Sequence, residues 1–208
     1  MVSVLVPNLK NIFLYMRLLL NSPGNPNFDY RLPWNTIPAI LAKEKKKYQY
    51  KEVNPKARSS TYRTVIEWLE KSGLIHLAYT LKTPQLPLSG YKDPSKFKIY
   101  FHDIGLLSAM LDVKPKIILE KEALFSIYNG AFVENFTACE LLRSGESCLH
   151  YWTSKSDAEI DFITYTKGNI IPLEVKSGYS RKKKSLHVFD EKYHPAYLVR
   201  LSAESQRQ

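Results

Sequence analysis

The chain has 208 residues, 44% hydrophobic and 24% charged, which fits one large or two small folded domains and excludes a disordered or collagen-like chain. Its 30 lysines and arginines against 20 aspartates and glutamates leave a formal charge of +10 and a pI near 9.4. Such an excess attracts polyanions, nucleic acid first and anionic membrane second, and does not choose between them.

The apolar residues Leu9, Ile12, Phe13, Met16 and Leu20 recur at helical spacing and predict a first helix over Asn8–Asn21. Its longest apolar stretch, IFLYMRLLL, is short and carries Arg17, so it cannot span a bilayer. No signal-peptide pattern appears, and a cytoplasmic protein without membrane association is expected. The PGNPN segment is a loop, and a second helix is predicted from about Asn35 through IPAILAKEKKK, with Pro38 in its first turn. A third is capped by Ser59 or Ser60, buries Tyr62, Val65, Ile66 and Leu69, and ends at Gly73. LIHLAYTL and KFKIYF then read as strands either side of a proline-rich loop.

Three helices followed by a two-stranded hairpin outline a winged helix, with the third helix as groove-reader and the hairpin loop as wing. Lys56, Arg58, Arg63 and the Lys43–Lys47 run would then contact phosphates; equally, they could solvate a helix end, and winged helices also dock proteins.

A boundary is expected at Asp112–Pro115, dividing residues 1–112 from 113–208. Beyond a helical stretch at Lys116–Ser126, NGAFVENFTACELLRSG predicts a helix capped by Asn129 and ended by Gly145, with Phe132, Phe136, Ala138, Leu141 and Leu142 on its apolar face. Glu134 then falls near its start, where an acid either serves a site or complements the helix dipole. Cys139 and Cys148 form no C-x-x-C and have no paired histidines, so reduced thiols are expected and zinc is not. CLHYWT is a strand. After the segment described next, the basic run Arg181, Lys182, Lys183 and Lys184 leads into a helix, and AYLVRLS closes the chain as a strand. That run suits a polyanion or a solvated surface.

Between them, DAEIDFITYTKGNIIPLEVKSG predicts a hairpin. A turn centred on Lys167 and Gly168 sets Asp161 opposite Glu174 and Glu159 opposite Lys176. Facing carboxylates repel, unless a cation sits between them or one holds its proton. An Asp on one strand and E-x-K on the next resembles the PD-(D/E)XK nuclease-like fold, although Ile160 stands where the pattern has proline. The resemblance implies Asp161, Glu174 and Lys176 as catalytic residues, completed by Glu134. Asp161, Glu174 and Glu134 would hold Mg²⁺ or Mn²⁺, with Glu159 as an alternative ligand.

IPAILAKEKKKYQY, YRTVIEWLEKSGLIH, FKIYFHDIGLLSAML, GAFVENFTACELLRSG and IIPLEVKSG also occur in this order in a large prokaryotic group of AAA-type ATPases with a C-terminal domain of unknown function. Nearly the whole chain resembles the C-terminal half of that group. The resemblance implies an α+β or α/β chain: an N-terminal winged helix, then a PD-(D/E)XK restriction-endonuclease-like domain with a mixed central sheet flanked by helices. No G-x-x-x-x-G-K-[ST] loop is present, so ATP has no Walker site in this chain. The chain then corresponds to a fragment, a truncated gene product or a stand-alone version of that half, and a separate ATPase is one expected partner. His102 and Asp103 of FHDIGLL read as a strand end capping the next helix. The functional expectation is a DNA-associated protein, as a metal-dependent phosphodiester hydrolase or as an inactive DNA-binding or protein-docking regulatory module, alone or as a homo-oligomer.

Overall fold

The computed structural model describes residues 31–41, 47–48, 59–112, 126–155, 158–177 and 184–202. The expected helix at Asn8–Asn21, most of the Lys43–Lys47 run, Lys56, Arg58, the stretch 113–125 and Arg181, Lys182 and Lys183 lie outside them. Among the described residues the chain is a mixed α+β structure with five α-helices and two mixed sheets.

Helix α1 spans Arg31–Leu41, starting before the expected Asn35, so Pro38 lies in its interior rather than its first turn. A proline there removes one hydrogen bond and costs about 3 kcal/mol or more. Burial of Trp34, Ile37, Ile40 and Leu41, worth roughly 1.5–3 kcal/mol for each large apolar side chain, offsets that loss. Helix α2, Ser59–Lys71, buries the expected stripe of Tyr62, Val65, Ile66 and Leu69. Gly73, at φ +73°, ends it: its N–H donates to Glu70 O and that of Leu74 to Leu69 O, a paired closure that needs a left-handed residue.

Strands β1 (Ile75–Leu81) and β2 (Lys92–Phe101) form an antiparallel hairpin, with a 3-10 turn at Leu88–Tyr91 before β2. The register jumps from Tyr79↔Phe97 to Thr80↔Asp93, bulging around Pro94, which has no N–H to donate. Asp103 caps α3, Ile104–Met110, accepting from Gly105 N and Leu106 N, as the FHDIGLL reading required. Helix α4 spans Ser126–Arg143, so Asn129 lies inside it rather than at its cap. Its buried face follows 131, 134, 135, 138 and 139, which leaves the expected core residue Phe136 49% exposed.

Strand β3 (Leu149–Thr153) pairs parallel to β1, Ala78 opposite Leu149, so one sheet crosses the expected boundary near residue 112. Strand β4 (Glu159–Ile160) pairs with β3; β5 (Phe162–Thr166) and β6 (Asn169–Lys176) form the next hairpin. The sheets run β2-β1-β3-β4 and β5-β6-β7, where β7 is Val199–Ser202, parallel to β6. The main core joins Trp34, Phe97 and Phe101 to Ala131, Phe132, Phe162 and Leu173 across the same boundary. Helix α5, Lys184–Tyr193, closes a smaller core of Trp152, Ile160, Ile163, Leu186 and Phe189. No described helix is long and apolar enough to cross a membrane.

Candidate functional site

The centre of the site is a residue that hairpin spacing does not reveal. Strand β2 alternates: Phe97 stacks on Tyr48 and Phe101 meets Trp34 edge-on, while Lys98 and Tyr100 face the other way. The register Lys98↔Ala78, then β1 to β3 and β3 to β4, sets Lys98, Ala78, Tyr151 and Glu159 on one face of the sheet. Ala78 presents only a methyl, which leaves room for the lysine stem to cross the sheet. The Lys98 side chain has no exposed surface. Its ammonium lies 3.1 Å from Glu134 Oε1, 2.5 Å from Glu159 Oε1 and 3.7 Å from Asp161 Oδ1, and 5.1 Å from the centre of the Tyr151 ring.

Burial alone would strip that lysine of its proton. The Glu134 carboxylate, the Tyr100 oxygen and the carboxylates of Glu159 and Asp161 overcome burial and raise its pKa well above the ordinary value, so it stays an ammonium. Burial, reinforced by Glu134, likewise pushes the Tyr100 phenol well up, and its O–H donates to Glu134 Oε1 at 2.5 Å. Glu134 lies in the middle of α4, not its first turn, and is buried. An acid there cannot complement the helix dipole, which acts only within the terminal turns. Beside it, Asn135 clamps α4 to the end of β2: Oδ1 accepts from Phe101 N at 2.8 Å and Nδ2 donates to Phe101 O at 3.0 Å.

Asp161 stands where the chain passes from one sheet to the other, between β4 and β5. The β5–β6 register is the one the sequence predicted, Phe162 opposite Leu173 through Thr166 opposite Asn169, turned by Lys167 and Gly168 at φ +47° and +85°. Continued by one residue, it would set Asp161 against Glu174. The ladder breaks first, and Asp161 Oδ2 accepts from Val175 N at 2.8 Å in place of a backbone carbonyl. Burial, then the Glu134 carboxylate, raise the Asp161 pKa to about 6 against the pull of Lys98 and the Val175 N–H. Glu159 pairs through its backbone with Thr153 rather than with Lys176.

Glu174 belongs to a different set of charges. It is 2% exposed, with Oε1 3.2 Å from Lys176 Nζ and Oε2 3.6 Å from Arg200 Nε; Oε2 accepts no hydrogen bond. Arg200 faces it across the parallel β6–β7 pair. The structure thus brings Glu134 and Asp161 together, adds Glu159, and holds Glu174 and Lys176 with Arg200. Of the expected nucleic-acid contacts, Arg63 is exposed and paired with Glu67 at 2.9 Å, and Lys184 is exposed at the start of α5.

Lys98, Tyr100, Asn135 and Arg200 escaped the sequence reading. One signal was available for Lys98: a lysine inside F-K-I-Y-F, a strand too apolar to lie open, needs buried carboxylates. A divalent metal does not fit the cluster as built. Its carboxylates are already met by an ammonium, a phenol and a backbone N–H, and no three His, Cys, Asp or Glu side chains among the described residues are grouped to hold an ion.

Residues 129–208 match the model of a domain of unknown function, DUF4143, and residues 27–117 match that of a second one, DUF8612. The searches of curated proteins and of solved structures gave no match.

Proposed function

We propose that this chain is a DNA-binding module of an ATPase-associated type, with a nuclease-like acidic site that is catalytically silent. The observation that carries the reading is the Lys98 ammonium, fully buried against Glu134, Glu159 and Asp161, where a hydrolase would need an open position for a metal and a water. The charge of +10 supports a polyanion partner. A helix (α2) leading into an antiparallel hairpin supports a winged-helix arrangement, with Arg63 on the helix and Lys56 and Arg58 before it. The E-x-K spacing and the flanking basic run support descent from a PD-(D/E)XK-like domain; a fold does not carry its activity along.

The test is one duplex assayed twice. With Mg²⁺ or Mn²⁺ present the strands stay intact, and in a gel shift the affinity falls steeply with salt, with a logarithmic slope of about −0.9 for each phosphate contacted. Neutralising Lys184 or Arg63 lowers that slope by about one. Metal-dependent cleavage that disappears in Asp161→Ala would overturn silence and restore the hydrolase. Absence of salt-sensitive binding would overturn the DNA partner and leave a protein-docking domain.

A further inference from the structure

We infer that a surface cavity at the end of α5 takes one unpaired base of a single-stranded nucleic acid, while Lys167, Lys192 and His194 hold the phosphates on either side of it. This rests on the nucleic-acid partner proposed above and adds a contact that α2 does not supply.

Three segments meet at the cavity: the proline-rich loop at Pro84 and Leu86, the β5–β6 turn at residues 168–170, and the end of α5 at Phe189 and Tyr193. Its volume of about 280 Å³ is at the lower end of ligand-pocket sizes, about 300–1,000 Å³, and admits one planar ring system. Most of its lining side chains are apolar or aromatic, and large rings stay exposed beside it. Tyr165, which pairs with the lining residue Ile170, is 44% exposed, and Tyr197, next along from the lining residue Ala196, is 59% exposed. Such rings are platforms on which bases stack.

Two basic residues stand here where the backbone favours others. Of the three non-glycine residues at positive φ among the described residues, Lys167 (+47°) and His194 (+46°) both belong to this cavity's rim. A two-residue hairpin turn favours Asn-Gly or Asp-Gly, and the left-handed residue that ends a helix is most often glycine. His194 occupies that place at the end of α5, its N–H donating to Asp190 O at 2.9 Å. A lysine and a histidine strain the backbone where glycine would not, and the reason lies in their side chains. A third cation stands by the same wall, Lys192 Nζ being 5.1 Å from the centre of the Tyr193 ring. The immediate chain neighbours of the lining residues include Lys167, Lys192 and a single acid, Asp190. Asn169 lines the cavity with its Nδ2 bound to Lys167 O at 3.0 Å, which leaves Oδ1 to accept from an amino group on a base edge. A strand of nucleotides offers a flat ring with an anion on either side, which matches aromatic walls under a basic rim.

The test measures fluorescence anisotropy of labelled oligothymidine and of an abasic strand of equal length, so that only the bases differ. Wild type is expected to bind oligothymidine at least about fivefold more tightly. Ala196→Trp, which fills the cavity, removes that preference and leaves the duplex gel shift unchanged. Lys167→Gly lowers the salt slope on the single strand by about 0.7, and His194→Gly weakens its binding about two- to tenfold. In both, Tm stays at or above the wild-type value, because the left-handed strain is gone. A fall in Tm with unchanged binding makes the two side chains structural and overturns the inference. Equal affinity for the two strands also overturns it, as does a base preference that survives Ala196→Trp. Should that variant not fold, Lys167→Gly combined with His194→Gly carries the test, and an unchanged salt slope overturns. Tighter binding of oligouridine supports the base site and assigns it to RNA. Displacement of oligothymidine by a decapeptide of glutamate and tyrosine at lower concentration makes the cavity a protein-docking groove and overturns the inference. Loss of all salt-sensitive binding, duplex included, overturns the nucleic-acid reading itself, so the two failures are distinct.

Discussion

Lys98→Met tests the energetics of the cluster without any ligand. The substitution keeps the length and most of the volume of the side chain and deletes the charge that Glu134, Glu159 and Asp161 share. Removing one partner of a buried ion pair costs about 3–5 kcal/mol. Glu134→Gln should cost much less, below about 2 kcal/mol, because the amide oxygen still accepts from Tyr100 and two carboxylates remain for the ammonium. The loss in Lys98→Met also depends on pH. Burial and the Glu134 carboxylate already raise Asp161 to about 6 against the pull of Lys98, so losing the ammonium moves it further above its unfolded value of about 4. A carboxyl raised in this way contributes stability below its unfolded pKa and loses it as pH climbs through the folded one. The deficit against wild type therefore widens between about pH 5 and pH 8. Urea unfolding followed by far-UV circular dichroism at several pH values measures it. A Lys98→Met protein within about 1 kcal/mol of wild type at neutral pH, or less harmed than Glu134→Gln, would refute the claim that the amine holds the acids together.

Other outcomes follow from single features. Asn135→Leu strands the buried N–H of Phe101 and leaves its C=O only the Cys139 thiol at 3.4 Å, costs about 2–5 kcal/mol, and speeds hydrogen exchange at the Phe101 amide. Gly73→Ala meets no atom within 4 Å, so its cost is that of a left-handed alanine, about 1 kcal/mol in urea unfolding. His150 is buried with neither ring nitrogen hydrogen-bonded, and burial, then Lys92, lower its pKa to about 4. A depressed folded pKa means that stability is full above the unfolded value near 6.5 and drains away as pH falls towards 4. The drain is at most about 3 kcal/mol, less the share screened by water, and His150→Phe should flatten it in acid titrations of unfolding.

What the sequence made legible was local. The Lys167–Gly168 turn and the alternation on either side of it set the register of β5 and β6, and the stripe from Tyr62 to Leu69 with Gly73 placed α2. Glu134 could be nominated because it lies one helix upstream of the acidic hairpin. The partners of these acids were not legible. Lys98 reaches Glu159 only because β1 pairs in parallel with β3, a contact of high sequence separation that crosses the expected boundary. The exposure of Phe136 was hidden for a related reason: α4 buries the face that carries Glu134 and Asn135, two polar residues a hydrophobic pattern would turn outward.

On the proposed reading, the division of charge separates holding a phosphate backbone from cutting it. Around Lys98, the carboxylates of Glu134, Glu159 and Asp161 would meet an approaching phosphodiester as like charge. Around Glu174, the cations Lys176 and Arg200 both keep some exposure, 35% and 20% of their side chains. The two groups are linked through the hydrogen bond from Val175 N to Asp161 Oδ2, one residue from Glu174. On the proposed DNA-binding reading, attraction lies on the E-x-K strand and repulsion where an attacking water would have to form.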